Sequence, residues 1–147
     1  MTEVAFHFNA PDKLPYACRL LRKVWASGAR SVVTGEPAQL DALDQALWTF
    51  SALDFLPHCR ADAPAHVLAA SPIVLATVPT ALAGHGVLVN LGSGVPAGFE
   101  QFGRLVEVVD TSDDDRAPAR ARWKHYADRG YPIVRHDLAA RNTAGSE

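Results

Sequence analysis

The stretch that decides the fold is residues 4–34, which read VAFHFNAPDKLPYACRLLRKVWASGARSVVT. Over residues 4–8 apolar side chains alternate with other residues, a period-two pattern that is typical of a strand. From 15 to 27 the apolar residues recur at intervals of three and four, which indicates a helix. Residues 30–34 are rich in β-branched side chains and predict a second strand. This part of the chain therefore reads as one strand–helix–strand unit.

Outside this unit the same alternation of strands and helices continues. The further elements expected are a helix from Pro37, strands at 73–77, 87–91 and 105–109, and a last helix from the acidic run 113–115 to Gly130. Residues 57–72 show no periodicity and are interpreted as a long surface loop. The pattern predicts one α/β domain over 1–138 with a mostly parallel sheet flanked by helices. Residues 139–147 are small and polar and are expected to form a disordered tail.

Composition narrows the classes of function. The 147 residues are 48% hydrophobic and carry 14 Lys plus Arg against 16 Asp plus Glu, a net charge of −2. This composition is that of one folded domain and excludes wholesale disorder. The slight negative charge argues against direct electrostatic binding to DNA. With no apolar run long enough for a bilayer and no signal sequence, we expect a cytoplasmic protein with no membrane contact.

Motifs for catalysis, cofactors or metals are weak. Neither a phosphate-binding loop nor a dinucleotide fingerprint is present, and the closest feature is Gly92-Ser93-Gly94 after a predicted strand. We interpret it as a turn, with a small nucleotide- or cofactor-binding α/β enzyme as the alternative function. The histidines and cysteines lack metal-ligand spacing, so no metal or cofactor is predicted. Cys18 and Cys59 are expected to be reduced thiols.

The last predicted helix has an unusual basic face. Seven of the 14 cationic residues lie in 116–141, and Arg116, Arg120, Trp123 and Lys124 fall within about a 100° arc of the helix. One interpretation is an ordinary solvated face with a partly buried indole. The other is a pocket for an acidic ligand that carries an aromatic ring, in which cations pair with carboxylates and the indole packs on the ring. Like charges four residues apart repel, and a binding role would explain why they are tolerated.

A second candidate surface surrounds Trp48, on the flank of the apolar stripe of the second helix, with Phe55 close by in the sequence. An aromatic side chain at that position is either half-buried at the edge of the core or an anchor for a partner protein. Tryptophan and other aromatic residues dominate the hot spots of protein interfaces. Both interpretations stay open on the sequence pattern alone.

Several segments, in this order and spacing, resemble the chi subunit of the bacterial DNA polymerase III clamp-loader complex. They are 5–8 (AFHF), 25–30 (WASGAR), 43–48 (LDQALW), 55–58 (FLPH), 87–91 (VLVNL), 107–110 (EVVD) and 122–131 (RWKHYADRGY). Together they span almost the whole chain. The resemblance implies a Rossmann-like fold and a non-catalytic adaptor. Such an adaptor joins the psi subunit on one side and binds the acidic C-terminal tail of single-stranded DNA-binding protein, which ends in Pro-Phe, on the other.

The resemblance also implies roles for particular residues. The tail-binding positions of the family correspond to Arg116, Arg120, Trp123 and Lys124, with Trp123 in the place of a tyrosine. Trp48 and Phe55 correspond to the psi-facing positions of the family, and a helicase is an alternative partner at that surface.

Proline bears on the tail-binding positions because it breaks a helix unless it lies in the first turn. Pro118 is therefore expected in the first turn of the last helix, which would put Arg116 at or before the helix start.

Overall fold

The computed structural model describes residues 1–49, 56–79, 82 and 84–139. Its elements are β1 (Glu3–Ala10), α1 (Lys13–Ala26), β2 (Ser31–Thr34), α2 (Pro37–Thr49), β3 (His58–Arg60), α3 (Ala65–Ala70), β4 (Ile73–Leu75), β5 (Val87–Asn90), β6 (Arg104–Asp110), α4 (Asp113–Asp128) and β7 (Ile133–Asp137). A 3-10 turn, Phe99–Gln101, precedes β6. Most of the expected tail, 140–147, lies outside the described residues, so the domain boundaries stay a prediction.

The seven strands of the described chain form one sheet in the order β3-β4-β2-β5-β6-β1-β7. All of the strand pairs are parallel. Next to the edge strand β7, Val4 of β1 lies opposite Leu105 of β6. The prediction of an α/β fold with a parallel sheet flanked by helices is confirmed. Within the described ranges, every helix is too short or too polar to cross a bilayer.

Helices cover both faces of the sheet. On one face α1 and α2 bury apolar stripes that include Leu21, Leu40 and Leu43. On the other face α4 and the 3-10 turn pack aromatic side chains, among them Phe99 and Tyr126, against the strands. Burial of each such side chain stabilises the fold by roughly 1.5–3 kcal/mol. The two cores fix α2 and α4 on opposite sides of the molecule.

The expectation of a loop over 57–72 is wrong, because β3 and α3 both lie there. Strand β3 has only three residues, all half-buried at the sheet edge, and therefore shows no apolar alternation. Helix α3 has six residues, none fully buried, so it carries no apolar stripe. Short elements at the rim of a sheet leave almost no periodic signal in a sequence.

Strand β7, which was not predicted from the sequence, pairs in parallel with β1. Its signal was the β-branched pair Ile133 and Val134, which follows the helix end at Gly130. Gly130 has a φ of 79°, the left-handed conformation that commonly ends helices. With β7 at the edge, α4 is the crossover that connects β6 to β7 over β1.

The expectation that Pro118 lies in the first turn or breaks the helix is wrong. Helix α4 begins at Asp113 and continues through Pro118 in its second turn. The hydroxyl of Ser112 caps the helix by accepting from the amide of Asp115 at 3.3 Å, and acidic side chains occupy the first turn. Proline removes one backbone donor, whose acceptor is the carbonyl of the exposed Asp114, where water can replace it. Arg116 consequently lies inside the helix.

Candidate functional site

A cleft of about 430 Å³ lies between α4 and the carboxyl-terminal parts of β1, β6 and β7. We call it the arginine cleft. Its lining residues are Phe6, Phe8, Val109, Asp110, Arg116, Ala119, Arg120, Trp123 and Arg135. The volume falls in the range of roughly 300–1,000 Å³ that is usual for ligand pockets.

The floor and one wall of the arginine cleft are apolar. The Trp123 indole is half-buried and packs on Phe6, with the ring centroids 5.0 Å apart. Phe6 belongs to the core beneath the cleft, whereas Phe8 is only partly buried. Because Phe6 and Trp123 also pack into this core, the aromatic surface is held in place before any ligand arrives. Such a surface accepts a ring or an aliphatic side chain.

The cleft is also strongly cationic. Arg116 and Arg120 reach it from successive turns of α4, and Arg135 reaches it from β7. Among the described residues, none of these three arginines forms a salt bridge with a carboxylate. The one acid in the lining, Asp110, accepts hydrogen bonds at 2.7 Å from both the amide and the hydroxyl of Ser112. The guanidinium groups are therefore left available for an anionic ligand.

A second cleft, of about 180 Å³, lies at the Gly92–Gly94 loop, and we call it the glycine cleft. It is at the carboxyl ends of β2 and β5, from which the chain leaves toward opposite faces of the sheet. The Asn90 amide turns the loop inward, since it accepts from the amide of Gly92 at 3.0 Å and donates to the carbonyl of Gly94 at 3.1 Å. Within the described lining, Glu36 is the only charged side chain.

Comparison with known proteins gives two findings. The family described as "DNA polymerase III chi subunit, HolC" matches residues 1–134. The chain belongs to this family. It is also 30% identical to the DNA polymerase III subunit chi of Pseudomonas aeruginosa over 143 residues, which cover 94% of this chain and 98% of that protein.

Chi is a non-catalytic accessory subunit of DNA polymerase III, so the family assignment confirms the expectation of a replication protein without catalytic activity. The alternative of an enzyme at the Gly92–Gly94 loop loses its basis. Among the residues that the structure describes, no group of three or more His, Cys, Asp or Glu side chains is arranged to hold a metal ion.

The arginine cleft of this chi family member contains three of the four residues predicted on the basic helix face: Arg116, Arg120 and Trp123. Lys124 lies outside the lining, is 77% exposed, and has its Nζ 3.2 Å from the Asp128 carboxylate. The strands also contribute to the cleft, through Phe6, Phe8 and Arg135, and this contribution was not predicted from the sequence. Phe6 and Phe8 had the alternating pattern of a strand face, but their proximity to α4 depends on the crossover to β7.

A buried polar network, also missed, holds α4 on the sheet. The Glu107 carboxylate of β6 accepts from Arg122 Nε at 3.0 Å, from Asn90 at 2.9 Å, and from the Tyr126 hydroxyl at 2.5 Å. Arg122 Nη1 also donates to the carbonyl of Ser93 at 2.8 Å. The network thus ties the helix that carries Trp123 to the loop of the glycine cleft.

Burial governs the titration of this network. It raises the pKa of Glu107, an effect that the nearby Arg122 guanidinium opposes. Burial also raises the pKa of the Tyr126 phenol well above its ordinary value of 10.0, and the adjacent Glu107 carboxylate raises it further. Tyr126 therefore stays protonated at neutral pH and donates its hydrogen bond to Glu107.

The surface proposed for a second partner is on α2. Trp48 is 59% exposed, and its ring lies edge-on to His58 with centroids 5.0 Å apart. His58 is fixed by Asp44, whose carboxylate is 2.8 Å from Nε2. Phe55, predicted on the same surface, lies outside the described residues. Trp48 is thus an exposed aromatic side chain that packs against His58. Tryptophan is enriched among the hot spots of protein interfaces.

Proposed function

We propose that this chi family member binds the acidic, phenylalanine-ended C-terminal tail of single-stranded DNA-binding protein in the arginine cleft. The observation that carries the proposal is an apolar cleft bordered by three arginines, none of which has a carboxylate partner within the described chain. Guanidinium groups form strong, often bidentate hydrogen bonds with carboxylates. A peptide that presents carboxylates and a terminal phenyl ring supplies both kinds of contact.

The aromatic floor provides the specificity for phenylalanine. A phenyl ring placed between Trp123 and Phe8 would bury apolar surface against groups that are already packed from below. Aromatic pairs in offset or edge-to-face geometry add about 0.5–1.5 kcal/mol to that burial. Electrostatic attraction is local to the cleft, because the chain as a whole has a net charge of −2.

The same proposal assigns the surface around Trp48 to the psi subunit, which would connect the protein to the clamp loader. Helices α2 and α4 pack on opposite faces of the sheet, so two partners can bind at once without overlap. A helicase is the alternative occupant of the Trp48 surface.

The test of tail binding is a titration of the full-length protein against a fluorescently labelled peptide that is rich in aspartate and ends in Pro-Phe, followed by anisotropy. We expect a micromolar Kd, roughly −7 to −8 kcal/mol, which weakens as salt screens the charges. Trp123→Ala should weaken binding about tenfold, because it removes one aromatic wall. Trp25→Ala is the matched control, since Trp25 is also partly exposed but lies on α1.

Lys124 is tested separately, because it lies on α4 outside the cleft lining. A peptide longer than the cleft would pass over it, and Lys124→Ala should then weaken binding by up to about tenfold, with Lys23→Ala on α1 as the control. Unchanged affinity in both Trp123→Ala and Lys124→Ala would refute the assignment of the arginine cleft.

The assignment of the second surface is tested by co-purification of the protein with psi. Trp48→Ala should weaken the complex with psi and leave the affinity for the tail peptide unchanged. If Trp48→Ala abolishes tail binding as well, the variant is unfolded or the two surfaces are not independent, and circular dichroism separates these cases.

A further inference from the structure

The solvent-facing side of α1 is a second cationic surface, on the face of the sheet opposite to α4. Residues 13–35 include five lysines and arginines and no acid. Four exposed side chains of α1 each lie three or four positions from another, so they are neighbours on the helix surface. We call them the α1 row, and they are Lys23, Arg19, Arg22 and Trp25.

Two cations of the α1 row are available to a ligand. Within the described chain, neither Arg19 nor Lys23 forms a salt bridge. The guanidinium carbon of Arg19 is 5.8 Å from the ring centroid of Tyr16, a contact that orients the group and leaves its N–H groups to donate. On the neighbouring helix α2, Asp41 and Asp44 pair with side chains of β3 instead.

Trp25 adds an aromatic surface at the end of the α1 row. Its side chain is 38% exposed and follows Arg22 by three positions. An exposed indole can stack on a flat ring while the cations beside it bind an anion. The row therefore offers two kinds of contact side by side.

These two kinds of contact match the chemistry of a single-stranded nucleic acid. Such a strand presents a phosphate in every nucleotide together with bases whose π-faces stack on aromatic side chains. In a duplex those faces are already stacked inside. The net charge of −2 does not oppose this contact, because exposed charges are screened beyond about 8 Å at physiological ionic strength.

We propose that the α1 row binds single-stranded nucleic acid without sequence preference, with phosphates at Arg19 and Lys23 and a base stacked on Trp25. This contact goes beyond the proposed binding of a protein tail and does not require it. Because α1 and α4 pack on opposite faces of the sheet, a strand and a tail peptide can bind at the same time.

The test is a titration of the full-length protein with fluorescently labelled oligothymidylate, followed by anisotropy. We expect a Kd of about 10–100 µM at low salt, and a slope of about −2 for log K against log salt, as for two or three phosphate contacts. A duplex of the same length should bind about fivefold more weakly, because it offers no base to the indole. Trp25→Ala should weaken single-strand binding about fivefold and leave duplex binding unchanged.

The cations are tested by a pair of double variants. Arg19→Gln/Lys23→Gln should weaken binding about tenfold and reduce the steepness of the salt dependence by about 1.4. The matched control is Arg104→Gln/Arg129→Gln, which removes two exposed charges elsewhere and should stay within about twofold of the wild type. Circular dichroism melts establish that each variant is folded.

The position of the strand is read from the indole N–H signals in a ¹H–¹⁵N NMR spectrum of the wild type. Oligothymidylate should shift the signal of Trp25 and leave that of Trp123 in place. Saturation with the Asp-rich peptide ending in Pro-Phe should change the affinity for the oligonucleotide by less than about twofold, since the peptide is expected on the opposite face.

The outcomes separate this proposal from that of tail binding. If oligothymidylate does not bind at low salt, or binds Arg19→Gln/Lys23→Gln as it binds the wild type, the role of the α1 row is wrong and tail binding stands. Single-strand affinity that Trp25→Ala leaves unchanged overturns the stacked base.

Two competing ligand positions would also overturn the proposal. Displacement of the oligonucleotide by the tail peptide, with a shift of the Trp123 signal, would place the strand in the arginine cleft. A Trp25 signal that responds to the acidic peptide and not to the oligonucleotide would make the α1 row a surface for an acidic protein. If instead only the oligonucleotide binds, at Trp25, the proposed function of the arginine cleft fails and the α1 row stands.

Discussion

The arginine cleft and the glycine cleft lie at the same carboxyl-terminal edge of the sheet but are built from different groups. The first has an aromatic floor and three cations whose charges are not matched by carboxylates of the described chain. In the second, the loop 92–94 bonds to Asn90, and the only charge in the described lining is that of Glu36. The arginine cleft offers three cations to a ligand, whereas the described lining of the glycine cleft offers none.

This contrast shows that position in the fold does not by itself determine where a ligand binds. In open α/β sheets, ligands commonly bind where neighbouring strands send the chain to opposite faces, and here that place is the glycine cleft between β2 and β5. A phosphate would meet Glu36 there and no cation of the described residues. Charge and unused hydrogen-bond donors, not topology, indicate the arginine cleft.

The largest loss of stability is expected from a change in the buried pair of Glu107 and Arg122, which connects the two clefts. Arg122→Ala leaves the Glu107 carboxylate buried without its cation and removes the donor to Ser93. Breaking a buried ion pair in this way costs about 3–5 kcal/mol of unfolding free energy. Urea unfolding measures the loss, with Arg129→Ala on the exposed end of α4 as the control.

The same variant shows whether the clefts are coupled in function. In conditions where Arg122→Ala is still folded, we expect its affinity for the tail peptide to stay within about threefold of the wild type, because Arg122 does not line the arginine cleft. The double variant Arg122→Met/Glu107→Gln should recover part of the stability, since it removes both charges. A loss below 1 kcal/mol for Arg122→Ala would mean that the network does not anchor α4.

An intermediate loss of stability, which depends on pH, is expected from a change at Tyr126. Tyr126→Phe removes a hydrogen bond to the buried Glu107 carboxylate and should lower the free energy of unfolding by about 1.5–3 kcal/mol at pH 8. The pKa of Tyr126 is higher in the folded chain than its ordinary 10.0, so its contribution is complete below pH 10 and declines above it, as the unfolded chain ionises first. By pH 11 the difference between wild type and variant should narrow by about 1 kcal/mol.

Urea unfolding of both proteins at pH 8, 9, 10 and 11 measures this narrowing. Titrating groups that do not contact Tyr126 are common to the two proteins and cancel in the difference. If the difference in unfolding free energy between the wild type and Tyr126→Phe stays constant from pH 8 to 11, or widens, the raised pKa of the phenol is contradicted.

The smallest effect is expected in the glycine cleft. A Cβ atom at Gly94 would meet no atom within 4 Å, so Gly94→Ala should change stability by no more than about 0.5 kcal/mol. It should leave the affinity for the tail peptide unchanged. Wild-type protein with 1 mM ATP or NAD should show no rise in Tm, whereas a rise that Gly94→Ala abolishes would make the glycine cleft a ligand site after all.

The periodicity of the sequence predicted most of the fold but only part of the arginine cleft. Residues 4–34 and the strands around 87–91 and 105–109 could be predicted because buried strands and amphipathic helices repeat at fixed intervals. The basic face of α4 was visible for the same reason, since Arg116, Arg120 and Trp123 share one helical face.

The rest depends on contacts between distant parts of the chain. Arg135 reaches the cleft only because β7 pairs with β1, and the two β-branched residues at 133–134 are a weak sequence signal for that strand. The partners Glu107 and Arg122 are 15 residues apart on different elements, and no local pattern relates them. Such groups can be found only once the register of the sheet is known.

The central claim is that an acidic, phenylalanine-ended peptide binds beside Trp123. The three tryptophans, Trp25, Trp48 and Trp123, lie on α1, α2 and α4 and give three indole N–H signals in a ¹H–¹⁵N NMR spectrum. Titration with the unlabelled tail peptide should shift the Trp123 signal and leave the other two in place. Movement of the Trp25 or Trp48 signal with Trp123 unchanged would contradict the account.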